Sequence, residues 1–511
     1  MIYTLLLLLA INMVSTSLVN RKTGSDGSVH LLLIQLIKDN GNRFISYVEP
    51  FLIGDIMGYP QLYHWIMSFI DNNKLEFTKQ VTPLIGNLIS LTLHIIFSIL
   101  VIQELELPSI IIVMSILLFL SNSMIFNKDN ARNMGLSGRS IGLIMGQIWI
   151  IVLYKYLITG HILYLAALSV INLLIILTSQ FTAQYILMAS IIISALYLKT
   201  GLILSLIFGG LSHYLLFPDH FKNYWKFQWR HKKYYYSYAA KAQLILSRSS
   251  IWRDLIYDIW KKISINRNHG IIYGYKNPVV MILTSQPILL MIIFHSFTES
   301  LIFETIIQPQ QIMTIATINL VTITIFVLTS FKKTRFLGEP ERYMDFASST
   351  IAILAAILYR EQQHIVVVAT LFGIIKIMVD YAINKRTFVD TVDPAIRKMK
   401  NVLSTITDRG GMRLFSNNIE ITKRMLTTKS KYFYGWMWYL EDYYNLHEIY
   451  MKPSIIKQES IFSIVQDWRI NYMIIDDFYI NEPLICENIN YEYREISRVD
   501  HYRIIQVCLK S

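Results

Sequence analysis

The chain has 511 residues, of which 53% are hydrophobic and only 16% charged, whereas an ordinary soluble domain carries about 25% charged residues. That much apolar surface does not fit inside one aqueous globule, which excludes a purely soluble protein. The formal net charge is +12, but no nucleic-acid module or basic-aromatic repeat stands in a polar part of the chain, so the cations are expected to meet anionic lipid headgroups and no nucleic acid.

A bilayer core about 30 Å thick needs roughly 20 apolar residues per spanning helix. By that measure the sequence predicts about ten or eleven spans, at 2–19, 81–102, 108–126, 139–157, 161–178, 181–198, 201–217, 279–297, 312–331, 347–359 and 364–381. The first run lacks a basic stretch before it and a small-residue cleavage site after it, so it reads as a retained span rather than a signal peptide. The N-terminus is not an Arg- and Ser-rich amphipathic peptide, which argues against mitochondrial import. The expected body is a polytopic α-helical membrane domain over 1–383, followed by a small α/β soluble domain over 384–511.

Residues 20–80 form the first loop. Within it, Leu32, Leu33, Leu36 and Ile37 recur at helical spacing while Asp26, His30 and Lys38 stay polar; such an amphipathic helix is expected to lie in the membrane interface. Asp26 and His30 are four residues apart and share one helix face. Asp26 either caps that helix or presents a reactive carboxylate, and the two roles are compatible. Asp55 and the run Gly58-Tyr59-Pro60-Gln61-Leu62-Tyr63-His64 complete the polar part of this loop.

Short connections predict hairpinned helices between 139 and 217. Asp129, Asn130, Ala131 and Arg132 form a polar loop before them, and Arg139, opening a span, is suited to snorkelling towards headgroups. Asn172, Gln180, Gln184 and His94 are expected to be satisfied by hydrogen bonds between helices. The segment 218–277 is basic and aromatic, with Trp229-Arg230-His231-Lys232-Lys233 at its centre. Those cations either bind a substrate phosphate or anchor an interfacial helix to acidic lipid. Between two late spans stands Gly338-Glu339-Pro340-Glu341-Arg342-Tyr343, where an Arg offers a planar fork for phosphate oxygens and a Glu can orient it. The alternative is a loop whose cations stop the preceding helix from sliding.

Beyond 384, strands are expected at 412–416, 432–436, 472–475 and 503–509, with helices at 419–426 and 454–468. Asp476 and Asp477 end one strand, where acidic pairs are commonly turn residues. Cys486 and Cys508 are the only cysteines; they can pair if the tail faces an oxidising compartment. An even number of spans between the Asp26 loop and the tail puts both on one side, outside for an inside N-terminus.

One apolar span, an Asp in an external loop, a helix carrying a His and a Tyr-Pro-x-x-x-His motif (Asp26, His30, Tyr59 to His64) resemble the GT-C superfamily of membrane glycosyltransferases, and Glu339 to Tyr343 resembles a Gly-Glu-x-x-Arg-Tyr signature of that class. The resemblance implies sugar transfer from a polyprenyl-phosphate donor to an envelope glycan, lipid or protein acceptor on the outer face of the cell membrane. Asp26 would be the catalytic base. His30, Asp55, Tyr59, His64, Asp129, Arg132, Arg230, Lys232, Glu339, Arg342 and Tyr343 would bind substrate. Some members hold a divalent cation (Mg2+ or Mn2+), for which Asp26 and Asp55 are the candidates here. The competing reading is a non-catalytic transporter or polymerase of envelope polysaccharide or lipid.

Overall fold

The structure is a computed structural model that describes residues 2–19, 26–126, 136–239, 251–265, 274, 277–289, 292, 309–387, 394–407, 411–435, 458–477 and 491–509. Helix α1 (Ile2–Val19) leads to α2 (Asp26–Asp39), strand β1 (Phe51–Ile53), α3 (Leu62–Ser68) and the long α4 (Asn72–Glu104). Then come α5 (Ile110–Leu120), α6 (Ser123–Phe126), α7 (Gly138–Thr159), α8 (Ile162–Thr178), α9 (Gln180–Tyr197), α10 (Gly201–Leu216) and α11 (Pro218–Tyr234). The later membrane-side helices are Pro278–Ser285, Gln310–Thr329, Met344–Leu358 and Gln363–Thr387.

The hairpins are set by local signals. Gly160 ends α7 with φ +66°, a left-handed conformation open to glycine, and His161 caps α8. Ser179 both closes α8 and caps α9, its hydroxyl accepting from the Thr182 N–H at 3.3 Å.

Five helices among the described residues are long and apolar enough to cross a membrane: Val81–Glu104, Gly138–Thr159, Gln180–Tyr197, Gln310–Thr329 and Gln363–Asp380. Ten or eleven were expected, and the expected run 279–297 lies partly outside the described residues. Ile110–Leu120, Ile162–Thr178 and Gly201–Leu216 are apolar but shorter; at 1.5 Å per residue, α5 reaches only about 16 Å. Met344–Leu358 is buried on every side from Met344 to Ile357, so its apolarity reflects protein neighbours rather than lipid. Hydropathy alone does not separate these cases.

Two boundaries can be read from polar contacts. At one end Glu104 pairs with Lys155 and accepts from the Tyr154 hydroxyl at 2.7 Å, while Lys199 and Gln310 both donate to the Leu157 carbonyl. At the other end stand the first loop, the α8–α9 turn, α11 and the segment between Thr329 and Met344. The polar side chains inside the bundle are bonded between helices as expected: His94 Nε2 lies 3.0 Å from Ser115 Oγ, and Asn172 donates to Ser205 Oγ at 3.1 Å.

The C-terminal sheet is mixed, in the order β1-β3-β2-β4-β6-β5, with β2 Arg413–Ser416, β3 Lys431–Gly435, β4 Tyr472–Asp476, β5 Tyr491–Val499 and β6 Tyr502–Leu509. Strands β1, β3, β2 and β4 run parallel, and β6 and β5 are antiparallel. The expected strands are present, as is the helix Ile419–Met425. The described part of the second helix is Gln458–Trp468.

Two strands were not expected. β5 is one, and β1 comes from the first loop: Phe51 faces Tyr432, whose N–H donates to the Pro50 carbonyl at 2.8 Å. The first loop and the tail therefore share one end of the molecule. Helix α2 follows the same logic and corrects the interfacial expectation. Leu32, Leu33 and Ile37 lie in one core with Phe415, Tyr432, Ile474 and Ile504 of the sheet, and Ile34 packs with Tyr63 and Leu136. Each such buried side chain contributes about 1.5–3 kcal/mol.

Candidate active site

Asp26 opens α2; its side chain lies outside the described structure. One turn on, His30 projects from the same helix to His64 at the start of α3, with Nδ1 and Nε2 2.8 Å apart and the rings stacked at 5.1 Å. At that distance one nitrogen donates and the other accepts. Burial, reinforced by the charge of His30, holds His64 well below the usual imidazole range, so the pair carries a single shared N–H rather than two cations. Tyr59 closes the group, its ring 6.0 Å from His30 and 5.8 Å from His64. All three belong to the first loop.

Asp55 stands apart. It is exposed just past the carboxyl end of β1, on the sheet side of the loop, and its backbone carbonyl accepts from the Val48 N–H. Asp129 and Arg132 lie outside the described residues. Among the described residues no three His, Cys, Asp or Glu side chains converge as a metal site.

Helix α11 connects this loop to the rest of the polar end. Pro218 starts it, since its ring pre-sets a helical φ and its missing N–H is not needed in the first turn. His220 packs its Nε2 3.3 Å from the Tyr59 carbonyl and its Nδ1 2.8 Å from His213 Nε2, while Asn223 donates to the Ser46 carbonyl. Phe227 lies against Tyr59, ring centroids 6.5 Å apart. Further along, His231 Nδ1 meets Gln180 Nε2 at 3.1 Å and Lys232 donates to the Phe336 carbonyl at 3.2 Å. Gln184, with its amide nitrogen donating to the Leu337 carbonyl at 3.0 Å, turns its oxygen to Lys232. Arg230 is half-buried on the same helix.

The Glu339–Tyr343 segment follows Phe336, which α11 reaches through Lys232. Arg342 forms an ion pair with Glu339. Burial pulls the guanidinium pKa down from its ordinary value, while Glu341, Asp345, Tyr235 and Tyr343 act to keep it charged. Tyr343 donates to the Leu337 carbonyl at 2.8 Å and stacks on Phe181 at 4.4 Å, fixing the loop on α9.

His231, Gln180, Gln184, His220 and Tyr235 had not been singled out as site residues. The signal was there in helical phase: 220, 224, 227, 228 and 231 share one face of α11, and Gln180 and Gln184 share one face of α9. Two buried polar atoms near this end, Tyr63 Oη and Gln228 Nε2, have no hydrogen-bond partner among the described residues. Such atoms are where a bound ligand or water is expected.

Burial pushes the Lys232 ammonium down to about 7, whereas in an unfolded chain a lysine titrates near 10.4. Between those values the unfolded state binds more protons, so stability rises with pH from about 7 to about 10.4. The cation available to an anionic ligand in the folded protein is lost as pH rises through about 7. Lys232→Met should flatten that rise in thermal melts taken across the interval; an unchanged slope would assign it to other groups.

Comparison with known protein families and with curated proteins gave no match.

Proposed function

We propose that this protein is a membrane glycosyltransferase that moves a sugar from a polyprenyl-phosphate donor to a glycan, lipid or protein acceptor at the outer face of the cell membrane. The observation that carries the proposal is the bridge made by α11, which sets Phe227 against Tyr59 of the first loop and Lys232 on Phe336 of the Glu339–Tyr343 side. A carboxylate-bearing helix and a cationic cradle thereby share one end of the bundle, where a lipid-linked substrate presents its phosphate.

In this reading Asp26 takes the proton of the acceptor hydroxyl as its oxygen bonds to the anomeric carbon. The bond from that carbon to the phosphate oxygen breaks, and the electron pair leaves with the polyprenyl phosphate. Lys232 and Arg342 face the developing negative charge, with Glu339 orienting the guanidinium. The His30–His64 pair, sharing one N–H, borders the helix that carries Asp26 and can pass the proton onward. Inversion at the anomeric carbon follows from a single displacement.

A second reading, transport of an envelope glycan or lipid, draws on one observation. Lys376 and Asp380 form a buried ion pair at 2.8 Å in the last turns of the span Gln363–Asp380, and ionisable groups turned into a helical bundle commonly mark a pathway. The assay that separates the two offers purified protein a panel of polyprenyl-phosphate sugars with a nucleotide sugar as control. Release of polyprenyl phosphate from a lipid donor, reduced in Arg342→Gln, supports transfer. No turnover with any donor, or turnover from the nucleotide sugar alone, rejects it.

A further inference from the structure

The outward side of α11 has no part in the site just described. Helical phase divides the helix in two: His220, Tyr224, Phe227 and Gln228 are buried against the protein, and Lys222, Trp225, Lys226, Trp229 and Lys233 are exposed. Trp225 and Trp229 are 51% and 75% exposed, and amphipathic indole rings are enriched at interfaces and membrane-interface belts.

What covers them follows from the neighbouring helix. α10 turns Leu204, Ile207, Phe208, Leu211, Leu215 and Leu216 outward, an apolar surface suited to lipid chains, and Phe217-Pro218 passes directly from it into α11. The start of α11 touches Tyr59 and Ser46 and its end touches Gln180 and Phe336. All four belong to the same end of the bundle. The helix therefore runs along the membrane boundary, about 25 Å long at 1.5 Å per residue, with its exposed face continuous with the lipid-facing side of α10. Its 17 residues hold five Lys and Arg against one acid, Asp219. Among the described residues Lys222 and Lys226 form no ion pair, whereas Lys232 turns inward to Phe336.

We infer that this face, through Lys222, Trp225, Lys226 and Trp229, binds anionic phospholipid headgroups in preference to zwitterionic ones. Indole rings sit at headgroup depth, and lysines beside them meet phosphate with an added attraction to net negative lipid. The basic cluster of 229–233 is thus split by the helix: Trp229 and Lys233 serve the bilayer, His231 and Lys232 the interior. This inference stands independently of the transferase reading.

The test places full-length protein in vesicles of phosphatidylcholine and phosphatidylglycerol, with brominated chains on one lipid or the other. Quenching by each is read from the fluorescence that W225F/W229F removes. Stronger quenching by brominated phosphatidylglycerol is expected, falling with salt and in K222Q/K226Q; each lysine near an anionic surface is worth roughly fivefold in local affinity. Equal quenching by the two lipids in the native protein, or a preference that neither salt nor K222Q/K226Q reduces, overturns it. An acidic protein partner in place of lipid would show as no quenching by either. The salt series on the native protein decides the matter even if K222Q/K226Q does not fold.

Discussion

Leu33→Ala is expected to cost about 2–5 kcal/mol and to loosen the C-terminal sheet from the first loop. Leu33 is fully buried in the core that α2 shares with Phe415, Ile474 and Ile504, and the truncation leaves a cavity on the seam between them. Because β1 is already the edge of that sheet, the two parts cannot close the void by sliding without breaking the Tyr432 to Pro50 hydrogen bond. His30 lies one turn earlier on the same helix. The variant should therefore lose resistance to protease near 51–53 and, in the same preparation, any activity that depends on the His30–His64 pair. Native-like thermal inactivation would mean that the seam contributes little.

Gly58→Val should be damaging at a residue without chemistry of its own. A Cβ at position 58 would sit 2.2 Å from Phe227 Cβ and 2.5 Å from the Asn223 carbonyl oxygen, and both belong to the rigid part of α11. The helix or the loop must then move, at a typical overpacking cost of about 1–3 kcal/mol. Either shift separates Tyr59 from Phe227 and His220, which detaches α11 from the first loop. Gly210→Ala is the control: nothing lies within 4 Å of that position, and replacing a helical Gly with Ala stabilises by about 0.5–1 kcal/mol. Thermal denaturation of the pair in detergent should show Gly58→Val well below the native protein and Gly210→Ala at or above it.

These two effects rest on contacts that the sequence makes legible to different degrees. The strands β2, β3, β4 and β6 stand out as short apolar runs between polar ones, and Tyr59 and His64 are close enough in sequence for spacing to unite them. β1 is three residues long and pairs with Tyr432 across most of the chain, beyond the reach of any local pattern. β5 alternates, but its residues are largely exposed on both faces, so no apolar face announces it. The apolar stripe of α2 was read correctly as a stripe and wrongly assigned to lipid, because periodicity reports that a face is buried and not what buries it. The same holds at Met344–Leu358, whose apolar residues are enclosed by protein. The Lys376–Asp380 pair went unnoticed as a pair, although its spacing of four on one helix was readable.

The division of α11 illustrates the remaining gap. Composition showed a cluster of cations and aromatic rings, and it left open whether they served a substrate phosphate or the bilayer. Helical phase with the burial pattern turns Lys232 inward and Trp229 outward. Similarly, Glu339 and Arg342 are three residues apart and were expected to act together; their ion pair is present. What places that pair at the same end as α2 is the alternation of helix directions, which depends on helices shorter than a full span.

In the proposed transfer, one carboxylate at the head of α2, that of Asp26, takes the acceptor proton. Transfer from a polyprenyl-phosphate sugar should be measured with the native protein and with Asp26→Asn in parallel, alongside the thermal stability of each. The expected result is a loss of roughly 10²–10⁴-fold in turnover with the melting behaviour unchanged. Equal turnover in the two proteins would contradict the assignment.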